Sequence, residues 1–232
     1  MARARAPQRP APTPAEKARA RRILERLLRR YPDPKLALHW ENPYQLLVAV
    51  ILSAQCTDER VNQVTPELFR RYPDPAALAR ADLRELEELV RPTGYYRSKA
   101  RNLQACCRAL VERFGGRVPE DPELLVQLPG VGRKTAHMVV GNAFGRPAVA
   151  VDTHVLRVSR RLGLAPPEAD AEEVEEALEA LFPRARWTQL SNALILHGRE
   201  TCTARRPRCE ACILRDLCPW PEKGPGGGGA KG

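Results

Sequence analysis

No run of eighteen apolar residues occurs in this 232-residue chain, so no transmembrane helix is expected. The opening MARARAPQRPAPTP has no apolar h-region and does not read as a secretory signal. Its four prolines also break any amphipathic transit helix, so residues 1–14 are expected to be a disordered basic arm. Strict apolar–polar alternation is missing throughout, which excludes half-buried strands. Lysine is scarce, with six among 38 basic residues. Where only a positive charge is needed this chain uses arginine, so each lysine draws attention.

What is present is helical. Apolar residues at helical spacing mark 15–30, and Tyr44–Gln55 is apolar almost all round, as a buried central helix would be. Further helices are expected from Asp58 to about Arg71, Asp82 to Val90, Ser98 to Phe114, Arg133 to Phe144, Thr153 to about Leu162, Asp170 to Leu181 and Arg184 to His197. A short one starts at Asp121-Pro122. Asp58 and Thr153 are expected as caps, and Gly115-Gly116 as a helix stop. RRYPDP occurs at 29–34 and again at 70–75; the flanks differ, so it reads as a reused helix stop. The fold class is all-α, with about ten short helices. The Gly-rich end, GPGGGGAKG, is expected to be disordered.

The formal net charge of +10 is uneven. The first thirty residues carry +8. Residues 91–117 net +6, 133–161 net +5 and 184–215 net +5, against −7 over 168–179. Segregated basic faces suit a polyanionic partner. Solvated arginine-rich helix faces are the plainer alternative.

Leu128 to Val155 holds the densest chemistry. Leu128-Pro129-Gly130-Val131-Gly132, set between two helices, reads as a helix-hairpin-helix turn. Gly130 and Gly132 are both expected to use positive φ. Backbone N–H groups beside a helix N-terminus then form an anion site for a DNA phosphate, one that reads no base sequence. Arg133 adds charge to it. Lys134 follows at once, either as a phosphate contact or as an amine nucleophile. The second role needs a neutral amine, and so a pKa tuned down by burial or by cationic neighbours. Asp152 stands before a helix start, where a carboxylate caps or does chemistry, or both.

Seven cysteines are present. Cys56, Cys106 and Cys107 read as small core residues. The rest form Cys202-x6-Cys209-x2-Cys212-x5-Cys218. With no secretion signal, this array points to a metal or cluster before disulfides. Four thiolates at uneven spacing can wrap a [4Fe–4S] cluster. They also suit tetrahedral zinc, although zinc ribbons usually show two Cys-x-x-Cys knuckles and this array has one. Arg205, Arg206 and Arg208 load the loop between the first two cysteines and read as phosphate contacts. His39, His137, His154 and His197 have no shared ligand spacing and read as structural. His154, beside Asp152, is the strongest exception.

LSAQCTD at 52–58, TGYYRSKA at 93–100, LPGVGRKTA at 128–136, VDTHV at 151–155, LILHGRETC at 194–202 and the cysteine array lie in one order. Together they make residues 20–218 resemble the endonuclease III family, helix-hairpin-helix DNA glycosylases with an iron–sulfur cluster. The resemblance implies a six-helix barrel domain over 36–149. It implies a cluster domain from the 15–35 helix plus 150–218, with DNA across the cleft between them and 219–232 as a tail. It implies removal of oxidised pyrimidines such as thymine glycol from damaged double-stranded DNA, by a cytoplasmic, nucleoid-associated monomer with no membrane partner. Lys134 would attack C1′, with Asp152 as the catalytic carboxylate, and β-elimination would nick the strand. Gln55 would fill the gap left by the flipped base, and Gly94-Tyr95 would wedge the duplex. Tyr95 is an aromatic where well-known relatives carry leucine. Val126 stands where some carry an acid, and Cys56 beside Gln55 is unusual.

Two readings compete. Monofunctional glycosylases of the superfamily resemble the chain in cluster and aspartate but lack a lysine at position 134. Their adenine-specific type carries a further C-terminal domain, and fourteen residues follow Cys218 here. A non-enzymatic helix-hairpin-helix DNA-binding module with a structural metal site would need the turn and the arginines, but not Lys134 together with Asp152.

Overall fold

The most apolar helix, α2 (Pro43–Leu52), shows how the chain folds. Asn42 caps it, Pro43 starts it, and Tyr44 and Leu46 through Leu52 are all buried. A helix buried on every side must be wrapped by others. Truncating a fully enclosed member such as Leu47 is expected to cost ~2–5 kcal/mol. The computed structural model describes residues 10–220, and every element among them is helical. The order is α1 (Pro14–Arg30), α2, α3 (Asp58–Arg71), α4 (Pro75–Ala79), α5 (Leu83–Val90), α6 (Tyr96–Phe114), α7 (Pro122–Leu125), α8 (Arg133–Ala143), α9 (Thr153–Arg161), α10 (Ala171–Leu181) and α11 (Trp187–Glu200). Short 3₁₀ turns at Arg91–Thr93, Arg184–Arg186 and Arg215–Leu217 complete it. The all-α expectation holds. The expected arm falls mostly on residues 1–9 and the expected tail on 221–232, both outside the described residues.

Lys35–Ala150 form one compact unit. In it α6 packs against α2, α4 and α5, and α8 packs against α2 and α7. The described residues up to Pro34 and from Val151 form the other. There α11 packs on α9 and α1, and α10 on α9 and α1. Arginines stitch α1 into this second unit. Arg19 donates to the carbonyls of Leu162, Gly163 and Leu217. Arg26 donates to the Ile213 carbonyl and pairs with Asp216.

The repeated RRYPDP does stop two helices in the same way. Tyr31 ends α1 at φ −128°, ψ 79°, and Tyr72 ends α3 at φ −127°, ψ 76°. Each donates its N–H back to a leucine carbonyl one turn earlier, Leu27 and Leu68. Both rings are buried. The proline directly after each tyrosine, Pro32 and Pro73, disfavours helical backbone at the tyrosine and keeps the helix from continuing.

Several local expectations need correction. Thr57, not Asp58, caps α3. Of the two cap candidates at α9, Asp152 supplies the oxygen and Thr153 does not. In both cases the capping oxygen belongs to the residue just outside the first helical turn. The central helix stops at Leu52 instead of Gln55, because Gln55 adopts φ 52°. The α4 turn, capped by Asp74, was not expected at all. Cys106 and Cys107 are core residues, whereas Cys56 is only half-buried in the bend after α2.

Candidate DNA-repair site

The hairpin turn is built on one glycine. Gly130 has φ +77°, and a Cβ there would lie 2.8 Å from the Cβ of Asn102 on α6. Position 130 therefore requires glycine twice over, by backbone conformation and by close approach. Gly132 departs from expectation: it is extended at φ −93°, ψ 173°, with open space where a Cβ would stand. It caps α8 without a side-chain hydrogen bond, so the cap residue leaves the helix's first N–H groups and positive end without a side-chain partner of its own. Val131 is buried, and its N–H donates to the Leu128 carbonyl within the turn. Its side chain thus anchors the turn. Arg133 is exposed at the first position of α8, and Lys134 is half-buried beside it.

Asp152 is held from behind. Its Oδ1 accepts the N–H groups of His154 (2.9 Å) and Val155 (2.8 Å). Among the described residues, Oδ2 takes no hydrogen bond. A carboxylate with one oxygen spent on the helix cap is rigid and keeps the other for chemistry. The helix that carries it is fixed in turn. A Cβ at Gly198 of α11 would lie 2.9 Å from the Cβ of His154, so only glycine lets α11 press this closely on α9. Arg157 donates to the carbonyls of Cys202 and Gly198 and lies 3.1 Å from Nδ1 of His154. Arg161, one turn on, donates to the carbonyls of Thr203 and Ala204. These bonds tie the Asp152 helix to the cysteine loop. They depend on tertiary neighbours, and the motif around GRETC was the only sequence sign of them.

All four cysteines of the array line one pocket, together with His197 and Trp220. Among the described residues, no three His, Cys, Asp or Glu side chains converge on a single-ion position. Tetrahedral zinc would need all its sulfurs ~2.3 Å from one point; sulfurs arranged around a cavity suit a cubane cluster. Donors to sulfur are also in place. Arg161 reaches Cys202 Sγ at 3.5 Å, the Leu214 N–H reaches Cys212 Sγ at 3.4 Å, and His197 Nε2 lies 3.6 Å from that same sulfur. Burial pushes the Cys212 thiol up, and the three other cysteines push it further. A cationic iron core relieves both penalties. In the loop between Cys202 and Cys209, Arg205, Arg206 and Arg208 are exposed, and Arg208 also lines the pocket. The base of their loop is closed by the Arg208 N–H to the Thr201 carbonyl and by the Thr203 hydroxyl to the Arg206 carbonyl.

Gln55 and Tyr95 are exposed at loop tips, each in the left-handed region, at φ 52° and φ 48°. Tyr95 is 68% exposed. Gly94 before it, at φ 70°, ψ 161°, occupies a region open essentially to glycine alone. Of the histidines, His137 Nδ1 meets the Val149 carbonyl and His197 is buried.

Residues 48–184 match the HhH-GPD superfamily base excision DNA repair protein model, and residues 202–218 match the iron–sulfur binding domain of endonuclease III. Endonuclease III of Synechocystis sp. is 52% identical over 206 residues, 88% of this chain and 94% of its own. The Escherichia coli (strain K12) enzyme is 45% identical over 207 residues, 89% and 98% respectively. A non-covalent endonuclease III–DNA complex superposes with a TM-score of 0.85 at 45% identity, covering 88% of this chain and 95% of that one. A thermostable thymine-DNA glycosylase matches with a TM-score of 0.82 at 25% identity, over 90% and 99%. With both models matched and identity sustained over nearly nine-tenths of its length, the chain belongs to the endonuclease III family of the HhH-GPD superfamily.

Proposed function

We propose that this chain removes oxidised pyrimidines from damaged double-stranded DNA and then nicks the strand, with Lys134 as nucleophile and Asp152 as the catalytic carboxylate. As an endonuclease III family member it is a base excision DNA glycosylase with AP lyase activity and a [4Fe–4S] cluster. The observation that carries the residue assignment is Lys134. It is half-buried at the start of α8, directly behind a turn whose helix N-terminus has no side-chain cap. An amine held beside a phosphate anchor is positioned on the sugar of an anchored nucleotide.

Because C1′ is out of reach within the base stack, the damaged nucleotide leaves the duplex first. The neutral Nζ of Lys134 attacks C1′, and the base departs with the electrons of the glycosidic bond. Asp152 stabilises the positive charge that develops on the sugar. The ring opens to a Schiff base, which acidifies the C2′ protons. Loss of one drives β-elimination of the 3′ phosphate, and water then releases Lys134. Gln55 fills the gap in the stack, and Gly94-Tyr95 wedge the duplex. An aromatic at 95 stacks on neighbouring bases. Gly130, Gly132, Arg133, Arg205, Arg206 and Arg208 hold phosphates, with Val131 as the buried anchor of the turn. When bound, the iron–sulfur cluster supplies a cationic core that fixes the arginine loop. Cys202, Cys209, Cys212 and Cys218 hold it.

We assign 36–149 to the six-helix barrel domain and 15–35 with 150–218 to the cluster domain. The compact units that meet at residues 34–35 and 150–151 support that division. The protein acts as a cytoplasmic, nucleoid-associated monomer. No described helix is long and apolar enough to cross a membrane. A panel of defined lesions in one duplex context, scored separately for base release and nicking, tests the activity. Oxidised pyrimidines should be released and nicked together. Base release without nicking would favour the monofunctional alternative.

A further inference from the structure

Lys99 is a buried charged residue that the mechanism above does not use. It stands on α6 and is 5% exposed. Its Nζ donates to the carbonyls of Leu52 at 2.8 Å and Thr93 at 2.7 Å. Burying an ammonium is costly unless its protons find acceptors, and burial pushes the Lys99 amine down, with the Cys56 thiol acting the other way. The two acceptors explain why a charge is kept there. Leu52 is the last residue of α2, and Thr93 the last of the 3₁₀ turn Arg91–Thr93. Both are carbonyls at helix C-termini, where intrahelical donors run out and the dipole is negative. One ammonium therefore joins two helix ends.

Each end leads directly into a loop tip. Gln55 lies three residues past Leu52, and Tyr95 two past Thr93. They are the two non-glycine residues with positive φ among the described residues. The backbone of Lys99 holds the second tip as well, since its N–H donates to the Tyr95 carbonyl at 3.0 Å. Side chain and main chain of Lys99 thus grip the carbonyls on either side of Gly94. Left-handed backbone at a non-glycine residue persists only where surrounding bonds over-determine it.

We propose that Lys99 is a positioning residue whose buried ammonium locks the Gln55 and Tyr95 loops together, so that both side chains enter the duplex as a preset pair. This rests on the reading that Gln55 and Tyr95 are the residues that enter DNA. An extruded base leaves a gap in one strand and an unpaired base in the other. Filling one without the other leaves part of the unstacking cost unrecovered. Two side chains fixed in relation to each other make both contacts in one encounter, with no loop ordering to be done on DNA. The choice of lysine fits the task. A compact ammonium with three donors satisfies two carbonyls from different elements, whereas a planar guanidinium fork does not.

The test uses the full-length holoenzyme and two substrates. Single-turnover excision is measured on a lesion duplex, where both loops act. Borohydride trapping is measured on a single-stranded abasic oligonucleotide, which has no opposite base and no gap. Gln55→Ala, Tyr95→Ala and the double variant are compared in the parent and in Lys99→Met, with thermal melting to confirm folding. In the parent, the double variant should lose less than the product of the two single losses, because either change already breaks the pair. In Lys99→Met, duplex excision should fall roughly tenfold, the two alanine effects should multiply independently, and single-strand trapping should not change. If Lys99→Met does not fold, Lys99→Arg is read the same way. Equal losses on both substrates, or alanine coupling that survives the Lys99 change, would overturn the proposal. If neither alanine variant affects duplex excision in the parent, the assignment of the two loops is itself wrong, and the proposal goes with it.

Discussion

Gly130 and Asn102 touch so closely that a Cβ on the first would lie 2.8 Å from the Cβ of the second, at a backbone φ of +77°. The hairpin turn is thereby fixed to α6. Gly130→Ala combines strain with a clash, and should cost ~1–3 kcal/mol in denaturant unfolding. Gly132→Ala, at φ −93° with open space around it, should stay within ~0.5 kcal/mol. Equal losses at the two glycines would contradict this account of the turn.

Asp152 separates capping from chemistry. Asparagine keeps the oxygen that accepts from His154 and Val155 and removes the charge. Asp152→Asn should therefore fold with nearly parental stability while base release falls ~10²–10⁴-fold. Asp152→Ala should lose a further ~1 kcal/mol of stability. Melting curves and single-turnover rates on the same preparations distinguish the two effects.

Burial pushes the Cys106 thiol up to about 12, and Cys107 further still. At pH 8 about one Cys106 in ten thousand is then a thiolate, the reactive form. Iodoacetamide on the native holoenzyme should label Cys56 well before either, as read by peptide mass spectrometry. Labelling of Cys106 should rise about tenfold per pH unit. The linkage has a definite sign: a raised folded pKa favours the neutral thiol, so stability is full below ~8.5 and is lost as pH climbs toward 12.

If the exposed Arg205, Arg206 and Arg208 hold phosphates, each change to alanine should flatten the salt dependence of DNA binding by about one charge. For about six neutralised phosphates, parental affinity should fall roughly a thousandfold between 50 and 200 mM salt. Removing residues 1–9, which leaves the Thr13 cap of α1 intact, should keep most of that slope. A slope carried mainly by those nine residues would contradict the arginine-loop reading.

Legibility followed the range of the interaction. The helix stops at Tyr31 and Tyr72, the apolar α2, the turn before Lys134 and the four cysteines are local patterns, and each is readable in a short window. The cap at Thr57 was misplaced by one residue, because Asp58 beside it also carries an oxygen; at α9 both Asp152 and Thr153 offered one, and only the backbone conformation selects Asp152. Gly132 reads as a second positive-φ glycine in the sequence, yet its backbone is extended and it caps α8 without a side-chain hydrogen bond. Lys99, Arg157, Arg161 and Gly198 were not legible as working parts. Their partners lie far along the chain, at Leu52, Cys202, Ala204 and His154, and no spacing rule connects them.

Lys134 decides between a lyase and a simple glycosylase, and one measurement addresses it directly. Borohydride reduction during reaction with an oxidised-pyrimidine duplex converts a Schiff base into a stable crosslink. The parent protein should give a covalent protein–DNA adduct, and Lys134→Ala should give none while still binding the duplex. A parent that releases the base without any adduct, or a Lys134→Ala protein that still forms one, would contradict the account.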